Sequence, residues 1–167
     1  RIHVRINEKS CTFCFDLSGG SLHKRGYRKS GNVAPLKENI AAAILYRSGW
    51  PEVVANGGSL VDPMCGSGTL VIEAALIAYD IAPGLLCSRQ GFVSWAKFVE
   101  SDWKPLLDEA NNRRRKREVF SITLLGTDKD PTAIAYALAN AERAGVSEYI
   151  DFYEQDFRDS IPPKEGT

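Results

Sequence analysis

The sequence has no excess charge of either sign and no long apolar run. Its 167 residues include 21 basic and 21 acidic side chains, which gives a formal net charge of +0. A protein without net charge has no overall field that attracts nucleic acid, so any site for a polyanion must be a local patch. No apolar segment approaches the length that crosses a bilayer, and we therefore expect no membrane partner.

Cysteines are few, and their spacing is unlike a secreted disulfide framework. Cys11 and Cys14 form a C-x-x-C pair within SCTFCFDL, a stretch typical of a β-strand. Side chains three residues apart on a strand point to opposite faces, and no second pair completes a zinc site. We expect no metal, and Cys65 is interpreted as a small packing residue rather than a reactive thiol. A reducing cytoplasm is the expected location.

The length suits one domain with a sizeable core. The chain begins at Arg1 and ends in the turn-like PPKEGT, so we expect it to be part of a longer polypeptide. Residues 2–6 and 10–17 are β-prone and predict a hairpin. A segment rich in glycine, serine and basic residues follows it. The predicted boundary between a first module (1–30) and the main domain (31–167) lies in that segment.

Three helices are predicted from apolar spacing and from capping residues. LKENIAAAILYRSGW predicts a helix that follows Pro35 and ends near Gly49. GTLVIEAALIAYDIA predicts a helix with almost no polar face, as expected of one packed against a sheet. DPTAIAYALANAERAG predicts a helix with Asp130 as its N-cap, Pro131 at its first position and Gly145 as its stop.

Three short strands alternate with these helices. GGSLVDP, VFSITLLGTD and EYIDFYEQD are apolar runs of strand length. Residues 81–100 are irregular, and residues 101–117 predict an exposed helix that ends in positive charge. The order predicts an α/β fold, a Rossmann-like doubly wound parallel sheet with right-handed crossovers and helices on both faces.

An aspartate follows each of the three strands: Asp62, Asp128 and Asp156. The carboxyl ends of parallel strands form the ligand edge of such a sheet, so we expect these carboxylates to line one hollow. The first strand runs into VDPMCGSGTLVIEAA, a glycine turn followed by a helix. A P-loop would need a lysine after Gly68, and the dinucleotide fingerprint would need a glycine at Val71. An acid at the edge of the turn would also repel phosphate.

A cationic nucleoside without phosphate suits the same residues. S-adenosylmethionine carries a sulfonium and an ammonium group, and Gly66 and Gly68 would let the backbone pass close to it. Asp128 can accept both ribose hydroxyls, and Asp156 can accept the adenine amino group with Phe157 against the ring. The pattern therefore predicts S-adenosylmethionine as the cofactor.

The motifs DPMCGSGT, GTDKDPTAI and YEQDF together resemble the S-adenosylmethionine-dependent methyltransferases that modify exocyclic amino groups of bases. LSGGSLHKRGYRKSGNVAPLKENIAAAIL is similar to the junction between an RNA-binding THUMP domain and the methyltransferase domain in bacterial large-subunit ribosomal RNA guanine-N2 methyltransferases. The resemblance extends from about Ile2 to Phe157. It implies large-subunit ribosomal RNA as the partner and the N2 amine of a guanine as the methyl acceptor. The opening hairpin would be the last part of a THUMP-associated module.

Carried over by motif, this resemblance assigns cofactor contacts along the ligand edge. Residues 62–69 would form the cofactor loop, Asp128 would hold the ribose and Asp156 the adenine. Pro35 and the two residues after it would lie beside the methionine end. The expected cofactor-binding residues are Asp62, Pro63, Met64, Cys65, Gly66, Ser67, Gly68, Thr69, Asp128, Lys129, Asp156, Phe157, Leu36 and Lys37.

The family's catalytic motif is an Asn or Asp followed by two prolines and an aromatic residue, and no such motif occurs in this sequence. IPPKEGT has the prolines but lacks the preceding amide or acid and the aromatic. We expect the motif a short way beyond Thr167, so no catalytic residue is assigned and the chain alone is expected to be inactive. In the intact enzyme the motif would orient the guanine amine of a flipped base for in-line methyl transfer, mainly by positioning.

Two basic stretches are candidates for contact with RNA. HKRGYR, residues 23–28, mixes cations with an aromatic side chain, which suits phosphate contact and stacking; alternatively it is a linker that Tyr27 fastens to the domain. RRRKR, residues 113–117, is either an RNA patch or a solvated helix end, and we favour the helix end. The candidate RNA-binding residues are His23, Lys24, Arg25, Tyr27, Arg28, Arg113, Arg114 and Arg115.

Two other functions stay open from the sequence. One is a non-catalytic module that binds a cofactor or RNA, and the other is an amino-methylating DNA methyltransferase with the same core. A catalytic motif after Thr167 would separate the enzyme from the module. A THUMP domain before Arg1 would favour RNA over DNA.

Overall fold

The computed structural model of the chain describes residues 1–29, 36–87, 90–115 and 122–160. Several predictions fall outside these ranges in whole or in part. They concern Pro35, the last two residues of RRRKR, the beginning of the strand VFSITLLGTD, and the tail IPPKEGT. No helix within the described ranges is both long and apolar enough to span a membrane.

The predicted N-terminal hairpin is present. Strand β1 (Ile2–Asn7) pairs antiparallel with β2 (Ser10–Phe15), and all of their side chains are exposed. The alternation of side chains along β2 places Cys11 and Cys14 on opposite faces, and both thiols are free. The predicted geometry of the C-x-x-C pair is therefore confirmed.

The helices follow the predicted pattern with one addition. They are α1 (Glu38–Arg47), α2 (Trp50–Ala55), α3 (Thr69–Ala78), α4 (Glu100–Asn112) and α5 (Pro131–Ala144). The predicted end of α1 near Gly49 is confirmed, because Gly49 has a φ of 77° in the left-handed region that stops a helix. The additional helix α2 packs on the core through Trp50, whose indole N–H donates to the carbonyl of Ala74 at 3.0 Å.

The predicted caps of α5 are confirmed in atomic detail. The Asp130 carboxylate accepts a hydrogen bond from the backbone N–H of Thr132 at 2.8 Å, and Pro131 occupies the first helical position. At the other end Gly145 adopts a φ of 68°. The start of α5 is thereby held directly after the second strand of the sheet, where the candidate ligand residues lie.

The central sheet consists of β3 (Leu60–Asp62), β4 (Leu124–Asp128) and β5 (Asp151–Glu154). The strands are parallel and lie in the order in which they occur in the chain. Right-handed crossovers that proceed in one direction across a sheet place their helices on the same face. The crossover helices α3 and α5 indeed contact each other as well as the sheet.

The predicted α/β parallel sheet of Rossmann type is confirmed. Within the described ranges, α3 and α5 lie on one face of it and Tyr153 on β5 is exposed, so the predicted helices on both faces are not seen there. The segment 81–100 is irregular as predicted and contains two 3₁₀ turns, Pro83–Leu86 and Gly91–Ser94.

Helix α3 forms the centre of the core. It is buried over most of its length because the sheet covers one side and α1 and α2 cover the other. Its predicted lack of a polar face is confirmed, yet Glu73 lies in its middle and is only 2% exposed. A buried carboxylate needs partners. They come from residues 25–28, which pack on α3; the domain boundary near residue 30 stays a prediction.

Candidate cofactor site

A loop at the ligand edge of the sheet, residues 62–69, joins β3 to α3; we call it the cofactor loop. Its backbone is bound to the tip of β4 at two consecutive positions. The N–H of Cys65 donates to the carbonyl of Thr127 at 2.8 Å, and the N–H of Gly66 donates to Oδ2 of Asp128 at 2.9 Å. One of the predicted ligand residues therefore also shapes the loop.

The two glycines of the cofactor loop are required for different reasons. A Cβ at Gly66 would meet nothing within 4 Å, so the backbone there is open to an approaching ligand, at a φ of 54°. A Cβ at Gly68 would lie 3.1 Å from Ala137 Cβ and from Phe152 Cζ. The second glycine is therefore needed for packing of the loop on α5 and β5, which the sequence analysis did not anticipate.

Asp128 keeps acceptor capacity in spite of its backbone contacts. Its Oδ2 accepts from Gly66, and its Oδ1 accepts from the N–H of Asp130 at 3.0 Å. Because each carboxylate oxygen offers two lone pairs, one remains on each oxygen. This geometry allows the bidentate acceptance of two ribose hydroxyls.

Asp156 has a partner that sequence reasoning missed. Its oxygens accept from the guanidinium of Arg158, with Oδ1 3.0 Å from Nε and Oδ2 2.6 Å from Nη2. Hydrogen bonds from the Arg158 side chain and backbone hold the pKa of Asp156 well below its usual range. The Arg158 side chain is itself 76% exposed.

A cleft of about 480 Å³ opens at this edge of the sheet. Asp128 and Asp156 both line it, which brings two of the three predicted acids together. Phe157, which is 55% exposed, lies beside them and offers a ring face for stacking. The other lining residues are Pro63, Met64, Lys129 and Arg158.

The third acid, Asp62, does not line the cleft. It is half-buried at the end of β3, where its Oδ1 accepts from the N–H of Met64 at 3.3 Å. Burial raises the pKa of Asp62, and the nearby charge of Asp128 raises it further. The two carboxylates are thus close enough to repel each other, which favours a cationic ligand near them.

The remaining predicted residues of the loop are largely enclosed. Cys65, Ser67 and Thr69 are buried. Burial, followed by the charges of Asp62 and Asp128, raises the pKa of the Cys65 thiol to about 12. The interpretation of Cys65 as a packing residue agrees with this environment.

The residues at the start of α1 lie near the loop. The carbonyl of Leu36 accepts from Nη2 of Arg28 at 2.7 Å, and the same nitrogen donates to Oγ1 of Thr69. Lys37 is exposed and precedes the first turn of α1. Arg28 therefore connects two parts of the chain that the sequence analysis assigned to the cofactor.

Residues 25–28, which we call the strap, are fastened to the domain by their side chains. The Arg25 guanidinium donates to both oxygens of Glu73, from Nε at 3.2 Å and from Nη2 at 3.1 Å. Tyr27 is 1% exposed, and its hydroxyl donates to Oε1 of Glu73 at 3.1 Å. These contacts agree with the alternative in which Tyr27 fastens a linker to the domain.

RNA binding by the strap residues stays a prediction, and it would have to coexist with these contacts. Arg25 and Arg28 already use their guanidinium groups within the domain. His23 is half-buried, and Lys24 is exposed. Of this stretch, Lys24 is therefore the cation best placed to reach a phosphate group.

The second basic stretch lies at the end of α4. Arg113 is exposed and forms ion pairs with Asp80 at 3.6 Å and with Glu109 at 3.9 Å. Arg114 and Arg115 are also exposed, and the backbone N–H of Arg115 donates to the carbonyl of Tyr79. This environment is that of a solvated helix end, and contact with RNA at these residues stays a prediction.

The chain is similar in sequence to curated ribosomal RNA methyltransferases. The ribosomal RNA large subunit methyltransferase K/L of Allochromatium vinosum is 52% identical over 165 residues, covering 99% of this chain and 22% of that protein. The protein of the same name from Syntrophotalea carbinolica is 50% identical over 159 residues, covering 95% of this chain and 22% of that protein. The chain thus spans about a fifth of the length of these curated relatives.

A solved structure and a family model extend the agreement. The crystal structure of SMU.472, described as a candidate methyltransferase and complexed with SAH, superposes with a TM-score of 0.84 at 32% identity, covering 98% of this chain and 41% of that one. The model of the RMKL-like methyltransferase domain matches residues 25–165. The chain therefore belongs to the family of RMKL-like methyltransferase domains.

Proposed function

We propose that this chain is the S-adenosylmethionine-binding part of an enzyme that methylates the exocyclic N2 amine of a guanine in large-subunit ribosomal RNA. The observation that carries the proposal is the shared cleft of Asp128, Asp156 and Phe157 beside a glycine loop. The curated relatives named above are ribosomal RNA methyltransferases, and SMU.472 holds SAH, the demethylated form of the cofactor.

The charges around the cleft support this choice of cofactor. Among the lining residues, the acids Asp128 and Asp156 are balanced by the cations Lys129 and Arg158. Asp62 at the end of β3, close enough to Asp128 for the two charges to interact, adds one negative charge. S-adenosylmethionine carries a sulfonium, an ammonium and a carboxylate group and therefore has one net positive charge. A nucleoside triphosphate would bring several negative charges to the same place and would be repelled.

The roles proposed for individual residues follow from their positions. Asp128 accepts the ribose hydroxyls through its remaining lone pairs. Asp156 accepts the adenine amino group once Arg158 has moved, and Phe157 packs against the ring. The open backbone at Gly66 lies against the ligand, and the segment at Leu36 and Lys37 borders the methionine end.

The acceptor half of the reaction is proposed to lie elsewhere in the polypeptide. The sequence contains no Asn/Asp-Pro-Pro-aromatic motif, which in the resembled family orients the amine. Without that motif the guanine amine, whose lone pair is delocalised into the ring, has no acceptors to position it. The present residues would bind and orient the methyl donor.

Calorimetric titration of the chain with S-adenosylmethionine, SAH and ATP tests the cofactor. We expect saturable binding of the first two and none of ATP, which shares the adenosine but not the charge. Binding of ATP alone would contradict the proposal.

A radiolabel assay tests the reaction. The chain alone is expected to transfer no methyl group from S-adenosylmethionine to ribosomal RNA, whereas the full-length polypeptide is expected to produce N2-methylguanosine. Appreciable transfer by the chain alone would show that an acceptor site lies within it. A different methylated nucleoside from the full-length protein would contradict the guanine-N2 assignment.

A further inference from the structure

The strap reaches the cofactor loop directly along α3. Arg25 and Tyr27 hold Glu73 in the middle of the helix, and Arg28 reaches Thr69, its first residue, one turn nearer the loop. The same Arg28 nitrogen that donates to Thr69 Oγ1 at 2.7 Å donates to the Leu36 carbonyl at 2.7 Å. The strap thus ties the start of α3 to the segment before α1.

A second route runs through α5. Arg143 donates from Nε to the carbonyl of Tyr27 and from Nη2 to Oδ1 of Asn140. The amide nitrogen of Asn140 then donates to the carbonyl of Ser67 at 3.0 Å. Asn140 is 3% exposed, so its amide has no access to bulk water as an alternative partner.

The two routes end on either side of the same residue. Ser67 and Thr69 flank Gly68, whose backbone already packs closely on Ala137 and Phe152. Gly68 therefore packs against α5 and β5, and both of its neighbours are held by contacts that lead to the strap. A shift of the strap would have to displace Ser67, Thr69 or both.

We propose that the strap is a positioning element for the cofactor loop, with Arg28, Asn140 and Arg143 as positioning residues. The inference rests on the proposed function, in which this loop binds S-adenosylmethionine. If the strap and the loop are ordered together, a ligand that binds the loop must stabilise the strap. Release of the strap must then lower the affinity for that ligand by the same factor. A purely structural strap would contribute to stability without this reciprocity.

Hydrogen exchange of the full chain with and without SAH measures the first half of this coupling. If opening of the strap abolishes ligand binding, SAH at about 100 times its Kd makes that opening about 100-fold rarer. We therefore expect the amides of the strap, residues 25–28, to exchange up to about 100-fold more slowly with SAH. Amides of the exposed helix α4, which lies outside both routes, serve as the internal control and should not change.

Two substitutions measure the second half. Asn140→Asp keeps an acceptor for Arg143 but replaces the donor to Ser67 with a carboxylate oxygen, which removes the link to the loop and repels the Ser67 carbonyl. We expect this variant to lower the affinity for SAH about tenfold or more, because the buried carbonyl of Ser67 loses its hydrogen-bond donor. Its matched control is Asn111→Asp, which removes an equivalent amide bond to the Leu107 carbonyl on exposed α4 and should leave the affinity unchanged.

Arg143→Lys removes the forked contact, because one ammonium cannot replace both guanidinium nitrogens. It should lower the affinity for SAH and reduce the slowing of strap amide exchange by SAH. The control Arg47→Lys, at the exposed end of α1, should change neither quantity. If Asn140→Asp does not fold, the coupling is tested by the SAH affinity of Arg143→Lys and by hydrogen exchange of the unsubstituted chain.

The outcomes separate this inference from the proposed function. Normal binding of SAH with strap exchange unaffected by the ligand, and with unchanged affinity in both variants, overturns the inference alone. Failure of the unsubstituted chain to bind SAH overturns both. Protection of the strap together with weakened binding in either variant supports the coupling.

Discussion

Replacing Asp128 with alanine would remove a carboxylate that has two duties. In the free chain its oxygens accept from the N–H groups of Gly66 and Asp130, at 2.9 and 3.0 Å. In the complex its remaining lone pairs would accept the two ribose hydroxyls. Asp128→Ala should therefore reduce both the stability of the chain and its affinity for S-adenosylmethionine.

The size of each effect follows from the number of hydrogen bonds lost. A hydrogen bond to a charged group contributes about 1.5–3 kcal/mol, so two lost ribose contacts weaken binding by about 3–6 kcal/mol. At about 1.4 kcal/mol per factor of ten, this is a loss of roughly two to four orders of magnitude in affinity. The N–H of Gly66, left unpaired in a half-buried position, should lower the free energy of unfolding by about 1–3 kcal/mol, whereas the exposed N–H of Asp130 can bond to water instead.

Calorimetric titration measures the affinity, and urea unfolding measures the stability. Asp130→Ala is the matched control, because it removes the N-cap contact to Thr132 two residues away and should cost about 1 kcal/mol of stability. Asp130 does not line the cleft. The reasoning would be refuted if Asp128→Ala bound within a few-fold of the parent, or if both variants lost the same affinity.

Further changes test the loop and its surroundings. Gly68→Ala should lower the free energy of unfolding by about 2 kcal/mol or more, because its φ is 77° and the new Cβ would lie 3.1 Å from its neighbours. Gly66→Ala should lower it by only about 1 kcal/mol, because a Cβ there meets nothing within 4 Å. Equal losses in urea unfolding would contradict this packing argument. Because the pKa of Asp62 is raised above 3.8, the folded chain holds this proton to higher pH than the unfolded chain does, and ionisation costs stability as pH rises through that window. Asp62→Asn should therefore be more stable than the parent at pH 7, and the difference in stability should shrink towards pH 3.8. The variant should also bind S-adenosylmethionine more weakly. An unchanged pH dependence of urea unfolding would contradict the raised pKa of Asp62. With its pKa raised to about 12, the Cys65 thiol should resist thiol reagents at pH 8 while the two exposed hairpin cysteines react, and early labelling of Cys65 in peptide maps would argue against its burial.

Local signals in the sequence were sufficient for most of the fold. The caps of α5 at Asp130 and Gly145 act over a few residues, so the pattern that predicts them is contained in the helix itself. The same holds for the hairpin and for the alternation of strands and helices. The helix α2 was missed because its six residues are too few to show a helical period, and a contact from Trp50 to α3 stabilises it.

The candidate site was only partly accessible from sequence. Strand-tip position correctly brought Asp128 and Asp156 to one cleft, since the carboxyl ends of parallel strands share one edge of the sheet. Position alone could not tell that Asp62 does not line the cleft. Sequence position also could not tell that Arg158 forms an ion pair with Asp156, because the rotamer of an exposed arginine depends on its surroundings.

The sequence by itself determined the order of elements, the glycine turn and the acids at the strand tips, because propensity, capping and periodicity are properties of neighbouring residues. Only the tertiary structure decided which partner each buried polar group has. Glu73 and Asn140 are buried and pair with Arg25 and Ser67, which lie in distant parts of the chain and are marked by no local motif. Their pairing follows from the cost of burying a polar group without a partner, a cost that arises only once the chain has folded around it.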